Sequence, residues 1–533
     1  MNRPTILIRS LMILIPVVLL ALTALACAQT DAPVIYVTAT VASPVPSGEP
    51  TLRNPFRPTP SPIGPTATAI QPTPNPTPPP ASTVIEHTVA LGDTLSALAA
   101  AYGTDVNQIL ALNPALSLDS LLSPGQVLTM PGRPSATTPN FKLIPDSELV
   151  NSPAAREFDV ETYIKYQPGF IRVYSENVLG QRWMSGTEII MFHANTASVN
   201  PRLLLALLEY RGGWVTNPVP DADAMRYPMG RRDERLTGLF NQVAFAVNQL
   251  NNGYYGWRTR GLTTLQFDDG ARLAFAPELN GGTIGVQYFL ARTTGDRARW
   301  AYDVSVAGFF TTYMSMFGDP FRYTIEPLVP PDLRQPELAL PFAQGEVWYL
   351  TSGPHGGWDA RASGWGAVDF APPSPPDEIL IAQGNCYISP IFARAMAAGL
   401  VVRSGDGAVV IDLDMDGDER TGWVLTYLHI ADADRVPAGT IVQPGTPIGR
   451  PSCEGFYLNS GGTHVHIARK YNGEWIVADC TACLPGVAAP PFVMSGWELK
   501  GYPGQVWQGW LQRGGEVRRA NQGRDDPTNQ VSW

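Results

Sequence analysis

"GGTHVHIARKYNG" (residues 461–473) holds two of the six histidines in a chain of 533 residues. His464 and His466 stand two positions apart in a short β-like run, and residues i and i+2 of a strand face the same side of a sheet. The spacing therefore predicts a strand with both rings leaning toward one point, as groups around a metal ion do. Runs of the same kind surround it: "EVWYLTSG", "AGLVVRSG", "AVVIDLD", "GWVLTYLHI", "GTPIGRP" and "GEWIVAD", separated by Gly and Pro. Short, regularly spaced strands with turn residues between them predict an antiparallel β domain over residues 340–500.

His355, His429, His464 and His466 all fall between residues 355 and 466, an enrichment that favours a site over scatter. "GPHGGWDARASGWGAVDFAPP" supplies His355 and Asp369, and "GWVLTYLHI" supplies His429. A catalytic zinc takes three protein ligands from His and Asp or Glu and keeps one position open. Two histidines and one aspartate would give the ion a single countercharge, leaving two histidines for proton handling. Tyr427, two residues before His429 on the same run, is expected to line the cleft.

Net charge of −10 gives no basic field for nucleic acid, and that class is set aside. One stretch could enter a membrane. Arg3 and Arg9 precede "LMILIPVVLLALTALA" (11–26), which ends in Ala24-Leu25-Ala26 before Cys27. A basic start, an apolar run and small residues at −3 and −1 make an export signal over 1–27. The arrangement resembles a bacterial lipobox, which implies lipidation of Cys27; ordinary signal cleavage and an uncleaved anchor are the alternatives. All three put the remaining residues in the cell envelope or beyond it, with the membrane touched only through the N-terminus. Four further cysteines, Cys386, Cys453, Cys480 and Cys483, make an even number that suggests two disulfides in an exported chain. The favoured pairing is Cys386–Cys453 and Cys480–Cys483, with a zinc half-site at Cys480-x-x-Cys483 as the alternative.

Residues 28–83 are rich in Pro, Thr, Ala and Ser and cannot bury a core. In extended polyproline form, Asn54–Thr83 would span on the order of 90 Å. Residues 84–132 follow a β-α-α-β pattern, with Gly92-Asp93-Thr94 leading into one helix and Pro114 ending another. With G-D-T-L, Y-G, N-P and L-x-P-G-Q-x-L in place, the segment resembles a LysM domain. The resemblance implies binding of N-acetylglucosamine polymers around Gly92, Asp93, Thr94, Leu95, Asn113 and Pro114. Residues 141–335 read as mainly helical: "NPRLLLALLEYRGGW" has Asn200 as N-cap and Pro201 at the first helical position. Its "A-L-L-E" end loosely resembles lysozyme-like domains, which would make Glu209 a general acid. His87 and His193 are expected to be packed.

The segment 340–500 resembles the lysostaphin-type and β-lytic zinc endopeptidases, and more closely the staphylolysin branch. Where the commoner branch carries its first histidine, this chain has Trp365. Gly353-Pro354-His355, Ala367-Val368-Asp369-Phe370, "SCEG" (452–455), "GGTHVHIARKYNGEW" (461–475) and "PFVMSGW" (491–497) carry the likeness. It implies one zinc ion per chain on His355, Asp369 and His466, with His429 and His464 flanking the catalytic water. The fold expected is multidomain α+β, with 501–533 as a C-terminal extension. The function expected is a monomeric zinc endopeptidase cutting the peptides of bacterial peptidoglycan. A non-catalytic wall scaffold and a dual enzyme with a glycan-cleaving helical domain are the alternatives. "DLDMDGDERTGW" (412–423) spells half of a calcium loop, but the position of the bidentate Glu holds Trp423. A polar hairpin tip is the reading preferred over a Ca2+ site.

Overall fold

A computed structural model describes residues 84–89, 93–95, 98–99, 102, 104, 106–118, 120–132, 136–359, 361–455, 462–480, 483–484, 486–523 and 526–533. The segments 1–27 and 28–83, with Cys27, lie outside the described residues, as does Gly92. Among the described residues no helix is long and apolar enough to cross a membrane.

The expected mixture of helices and antiparallel sheets is present. In the N-terminal module, Val84–Thr88 pairs antiparallel with Val127–Pro131. Leu95, Leu98, Ile109, Leu128 and Met130 close a small core beneath that pair.

The helical region starts and stops where its local chemistry dictates. Ser185 and Glu188 form a reciprocal capping box at the start of Gly186–Ala197. Asn200 caps Pro201–Gly212, which ends on Gly213 at φ +66°. The long helix Leu239–Thr259 packs on Gly281–Thr293. Their axes approach closely at glycines, since a Cβ on Gly253 would meet the Gly285 Cα at 2.8 Å.

The β region is built on one antiparallel sheet. Its strand order is Ile441–Val442, Gly399–Gly405, Ala408–Asp412, Trp423–Leu428, Val465–Tyr471, Trp365–Ala371, Trp348–Gly356 and Gln530–Val531. A second sheet, Val493–Met494, Trp497–Gly501, Gly509–Arg513 and Glu516–Arg519, runs across the division expected at residue 500. Trp497, Leu499, Leu511 and Val531 share a core with Val368, Phe370, Leu425 and Tyr427. Residues 501–533 therefore complete the β region rather than extend it.

The helical and β regions share a further core. Ala367, Ala468, Trp475 and Ile476 pack among Leu203, Leu250, Tyr255 and their neighbours. The turn after Val465–Tyr471 plugs into the helices: the Ser198 hydroxyl donates to the Gly473 carbonyl at 2.6 Å, and Trp475 N–H donates to the Tyr255 hydroxyl at 2.9 Å. Arg258 lies between Asp146 at 2.9 Å and buried Glu474 at 3.1 Å. The strand that carries the histidine pair is thus held at its far end by the helical region.

Candidate active site

Strand register brings the site together. His466 lies opposite Asp369 on one neighbouring strand and opposite Leu428 on the other, one residue from His429. His355 enters from Trp348–Gly356, opposite Ala367, where the pairing slips between Ser352 and His355. This irregularity turns the His355 ring back over Asp369. His464 stands just ahead of its strand and bridges Ser452.

All four rings are fixed in the same way. His355 Nδ1–H donates to the Gly353 carbonyl at 2.9 Å, with the Ser352 hydroxyl 3.1 Å away. His466 Nε2–H donates to the Gly357 carbonyl at 2.9 Å. His429 Nδ1–H donates to the Glu454 carbonyl at 3.2 Å, and His464 Nδ1–H to the Gly462 carbonyl at 2.8 Å. A carbonyl can only accept, so each contact fixes a tautomer and leaves the second ring nitrogen with a lone pair.

Three such acceptors converge. His355 Nε2 and His466 Nδ1 are 2.9 Å apart, and Asp369 Oδ1 lies 3.3 and 3.2 Å from them. Two lone pairs and a carboxylate oxygen face one another with no proton to share, and Asp369 Oδ1 is buried without a hydrogen-bond partner. A metal cation satisfies that arrangement. The spacing fits zinc, because ligands about 2.0–2.1 Å from a tetrahedral ion lie roughly 3.3 Å from one another. His355, Asp369 and His466 form the His/Asp group able to hold a metal ion. The carbonyls of Gly353 and Gly357 then act as the outer partners that orient metal-binding histidines.

Burial opposes ionisation of Asp369, but the adjoining His355 and His464, when protonated, outweigh it and hold the carboxyl well below the usual range. His429 and His464 have ring centroids 4.5 Å apart with their planes tilted by 50°, and His464 Nε2 lies 3.8 Å from Asp369 Oδ2. Burial, with His464 and His466 nearby, pushes His429 down to about 3, so its ring is neutral at ordinary pH. His429 also adopts φ +62°, a left-handed conformation uncommon for residues other than glycine. That twist breaks the two-residue alternation. Tyr427 consequently points into the core, where its hydroxyl accepts from Met396 N–H at 2.9 Å, instead of lining the cleft as expected.

The five residues open on a cleft of about 710 Å³ whose walls include Trp358, Asp406, Glu454 and Trp507. The Cys386–Cys453 disulfide joins two segments that reach this cleft through Asn385 and Glu454, and Cys480–Cys483 closes a second, local loop. Trp507 was missed in the sequence because its segment reads as a tail. It exchanges backbone hydrogen bonds with Gly353 and Pro354 at 2.8 and 3.0 Å, and the Arg361 guanidinium lies 5.0 Å from its ring. The one signal available was an aromatic set among Gly-rich turns, "PGQVWQGW".

Other sequence candidates are used locally. Both Glu209 oxygens close the turn after their helix, accepting from Val215 N–H at 2.9 Å, Thr216 N–H at 3.0 Å and the Thr216 hydroxyl. That is the work of a cap. Asn113 locks its helix to the closing strand by donating to the Ile109 and Thr129 carbonyls and accepting from Thr129 N–H. Leu95 is in the module's core. Asp93 pairs with His87 at 2.8 Å, which leaves Pro114 exposed and Thr94 half-buried among the expected glycan contacts. His193 is packed against Phe240, and burial pushes it down to about 3. In the acidic segment, Asp412 accepts from Asp414 and Gly417 N–H at 3.2 and 2.9 Å, at the tip of a β-hairpin between Ala408–Asp412 and Trp423–Leu428.

A buried His/Asp centre on an antiparallel sheet, flanked by two further histidines, defines a candidate metallohydrolase site. Residues 142–330 match the family model described as "LasA, N-terminal domain", and residues 87–131 match "LysM domain". The chain is thus similar to the LasA and lysostaphin-type peptidases and carries an N-terminal LysM domain. The matched helical region is not one described as a lysozyme. Among solved structures, the deep-sea M23 metalloprotease pseudoalterin is 18% identical, with 35% of this chain and 96% of that one covered (TM-score 0.24). The lysostaphin catalytic domain of Staphylococcus simulans is 20% identical over 24% of this chain and 85% of that one (TM-score 0.17). A zinc-containing peptidase from Vibrio cholerae is 21% identical over 28% and 41% (TM-score 0.19). No curated protein matches the chain.

Proposed function

We propose that the protein is a zinc endopeptidase that hydrolyses peptide bonds of bacterial peptidoglycan. The observation that carries this reading is the convergence of His355, His466 and Asp369 on one centre, with His429 and His464 beside it and each of the four rings tied by one nitrogen to a backbone carbonyl. His355, Asp369 and His466 would hold zinc, which when bound polarises a scissile carbonyl and lowers the pKa of water. His429 and His464 present free Nε2 lone pairs beside that centre. One accepts a proton of the attacking water and then delivers it to the leaving amine, and the other, protonated from solvent, donates to the oxyanion. The Glu454 and Gly462 carbonyls keep both rings oriented through that exchange.

The match of residues 87–131 to a LysM domain supports the wall as substrate. Tethering of that kind raises local substrate concentration. We further propose export through residues 1–27 with lipidation at Cys27. Zinc analysis of the purified chain, with mass spectrometry of fragments released from defined peptidoglycan, tests the assignment. Stoichiometric zinc and new peptide termini are expected, whereas zinc without any cleavage would leave a wall-binding scaffold.

A further inference from the structure

His429 and His464, assigned above to proton handling, are held by a different part of the fold from His355 and His466. The carbonyls that orient the latter two belong to Gly353 and Gly357. Gly353 N–H donates to the Trp507 carbonyl at 2.8 Å, and Gly357 lies against the Trp475 ring with no room for a Cβ. The former two depend instead on residues 385–387 and 452–454. The His429 ring donates to the Glu454 carbonyl, and the His429 carbonyl accepts from Ser452 N–H at 2.7 Å and the Ser452 hydroxyl at 3.1 Å. That hydroxyl in turn accepts from Glu454 N–H at 3.0 Å. Thr463, between His464 and the Gly462 carbonyl that orients it, donates its N–H to the Asn385 carbonyl at 2.8 Å and its hydroxyl to the Tyr387 carbonyl. Cys386 sits between those two acceptors, Cys453 sits between Ser452 and Glu454, and a disulfide joins them. Burial contributes little on the upstream side of Asn385: the helix Asp377–Gln383 buries none of its residues, and residues 381–386 are exposed.

We infer that Cys386 and Cys453 are positioning residues for the proton-handling pair: their disulfide, acting through Thr463 and Glu454, fixes His464 and His429 relative to each other and leaves the zinc centre untouched. The two rings come from separate segments, and their centroids are 4.5 Å apart. An isolated bridge between Ser452 and His464 also links the two sides, but backbone hydrogen bonds of that kind open locally, whereas a covalent link across 67 residues does not. Proton transfer is sensitive to such placement, since an error of about 1 Å can cost on the order of 10²-fold in rate. The inference rests on the peptidase reading above and adds to it the residues that set the geometry of its acid and base.

The test uses the zinc-loaded full chain carrying Cys480→Ser and Cys483→Ser, so that Cys386–Cys453 is the bridge under study, and compares rates within that background. Reduction by a water-soluble phosphine, to which the exposed Cys386 is open, should lower kcat on wall peptides by roughly tenfold or more, with KM within about threefold and zinc per chain unchanged. Adding Cys386→Ser and Cys453→Ser should do the same, and reoxidation of the reduced chain should restore kcat. An unchanged kcat, a rise in KM with kcat kept, zinc lost in step with the rate, or a loss that reoxidation leaves in place would overturn the positioning role. Proton magnetic resonance of the ring N–H groups reads the same placement without turnover. On reduction the slowly exchanging signals of His429 and His464, assigned by their absence in His429→Ala and His464→Ala, should broaden or vanish while those of His355 and His466 persist. Should the wild type cleave no wall peptide, the peptidase reading fails while these signals still decide the disulfide's part; four unchanged signals, or four lost together, would refute it.

Discussion

Two clusters in the β region have the composition of a metal site, and they are built in opposite ways. His355, Asp369 and His466 are buried, and their facing atoms are all acceptors. Asp412, Asp414 and Asp416 also bring carboxylate oxygens within reach of one another, but Asp414 and Asp416 are exposed. The charge of Asp412 and Asp416 is met from within. Asp412 accepts backbone N–H groups, the Thr421 hydroxyl and Asp418 N–H donate to Asp416, and Arg420 and Arg156 pair with neighbouring Asp418. Side-chain identity is similar at the two places. The difference lies in whether the surrounding backbone leaves the ligand atoms unsatisfied or closes on them.

The sharpest way to break this contrast is at the centre of the histidine cluster. His466→Ala leaves two protein ligands and is expected to lose both bound zinc and detectable cleavage, measured as metal per chain and rate on purified wall. His429→Ala and His464→Ala should instead keep near-stoichiometric zinc while turnover falls roughly 10²-fold or more. Loss of metal in either would make it a ligand and enlarge the centre. Ser352→Ala removes one of the two contacts at His355 Nδ1 and should weaken zinc binding by about tenfold or less in competition with a chelator, because the Gly353 carbonyl remains.

The acidic cluster should respond weakly. Burial and the Asp412 carboxylate push Asp414 up to about 7. A carboxyl raised in the folded state stabilises the fold fully below its unfolded pKa, near 4, and that contribution is lost as pH rises through 7. Asp414→Asn should therefore flatten the decline in Tm between about pH 4 and pH 7, with a gain on the order of 1–2 °C at pH 8. Added calcium should leave the wild-type Tm unchanged; a marked rise would turn the hairpin tip into a cation site.

Much of the centre was legible because histidine is scarce in this chain and a strand's alternation is rigid. His464 and His466 fell together on that ground, and the cysteine pairs on parity. Tyr427 was misread because the same alternation was carried one residue too far, past a left-handed His429 that no local pattern announces. Trp507 escaped because its backbone partners, Gly353 and Pro354, lie over 100 residues away, whereas the second sheet is a local meander over 493–519 that the boundary drawn at residue 500 cut in two. Glu209 and Asn113 show the reverse error. Each polar side chain is suggestive in a motif, yet each is consumed by a turn or a strand junction visible only when the backbone is closed.

The turn at Asn472-Gly473, seated where Gly473 leaves no room for a side chain against the Asn151 carbonyl, makes the two large regions one body to heat and to proteases. A cut in the connecting segment near residues 331–337 would break a covalent bond but not the seam formed by Trp475, Ile476 and Ala468. The nicked fragments should co-migrate on a native gel and melt in a single transition. Transplanting residues 340–533 alone would instead expose that seam to water, and such a fragment would need a solubilising face engineered at Trp475 before it could be handled.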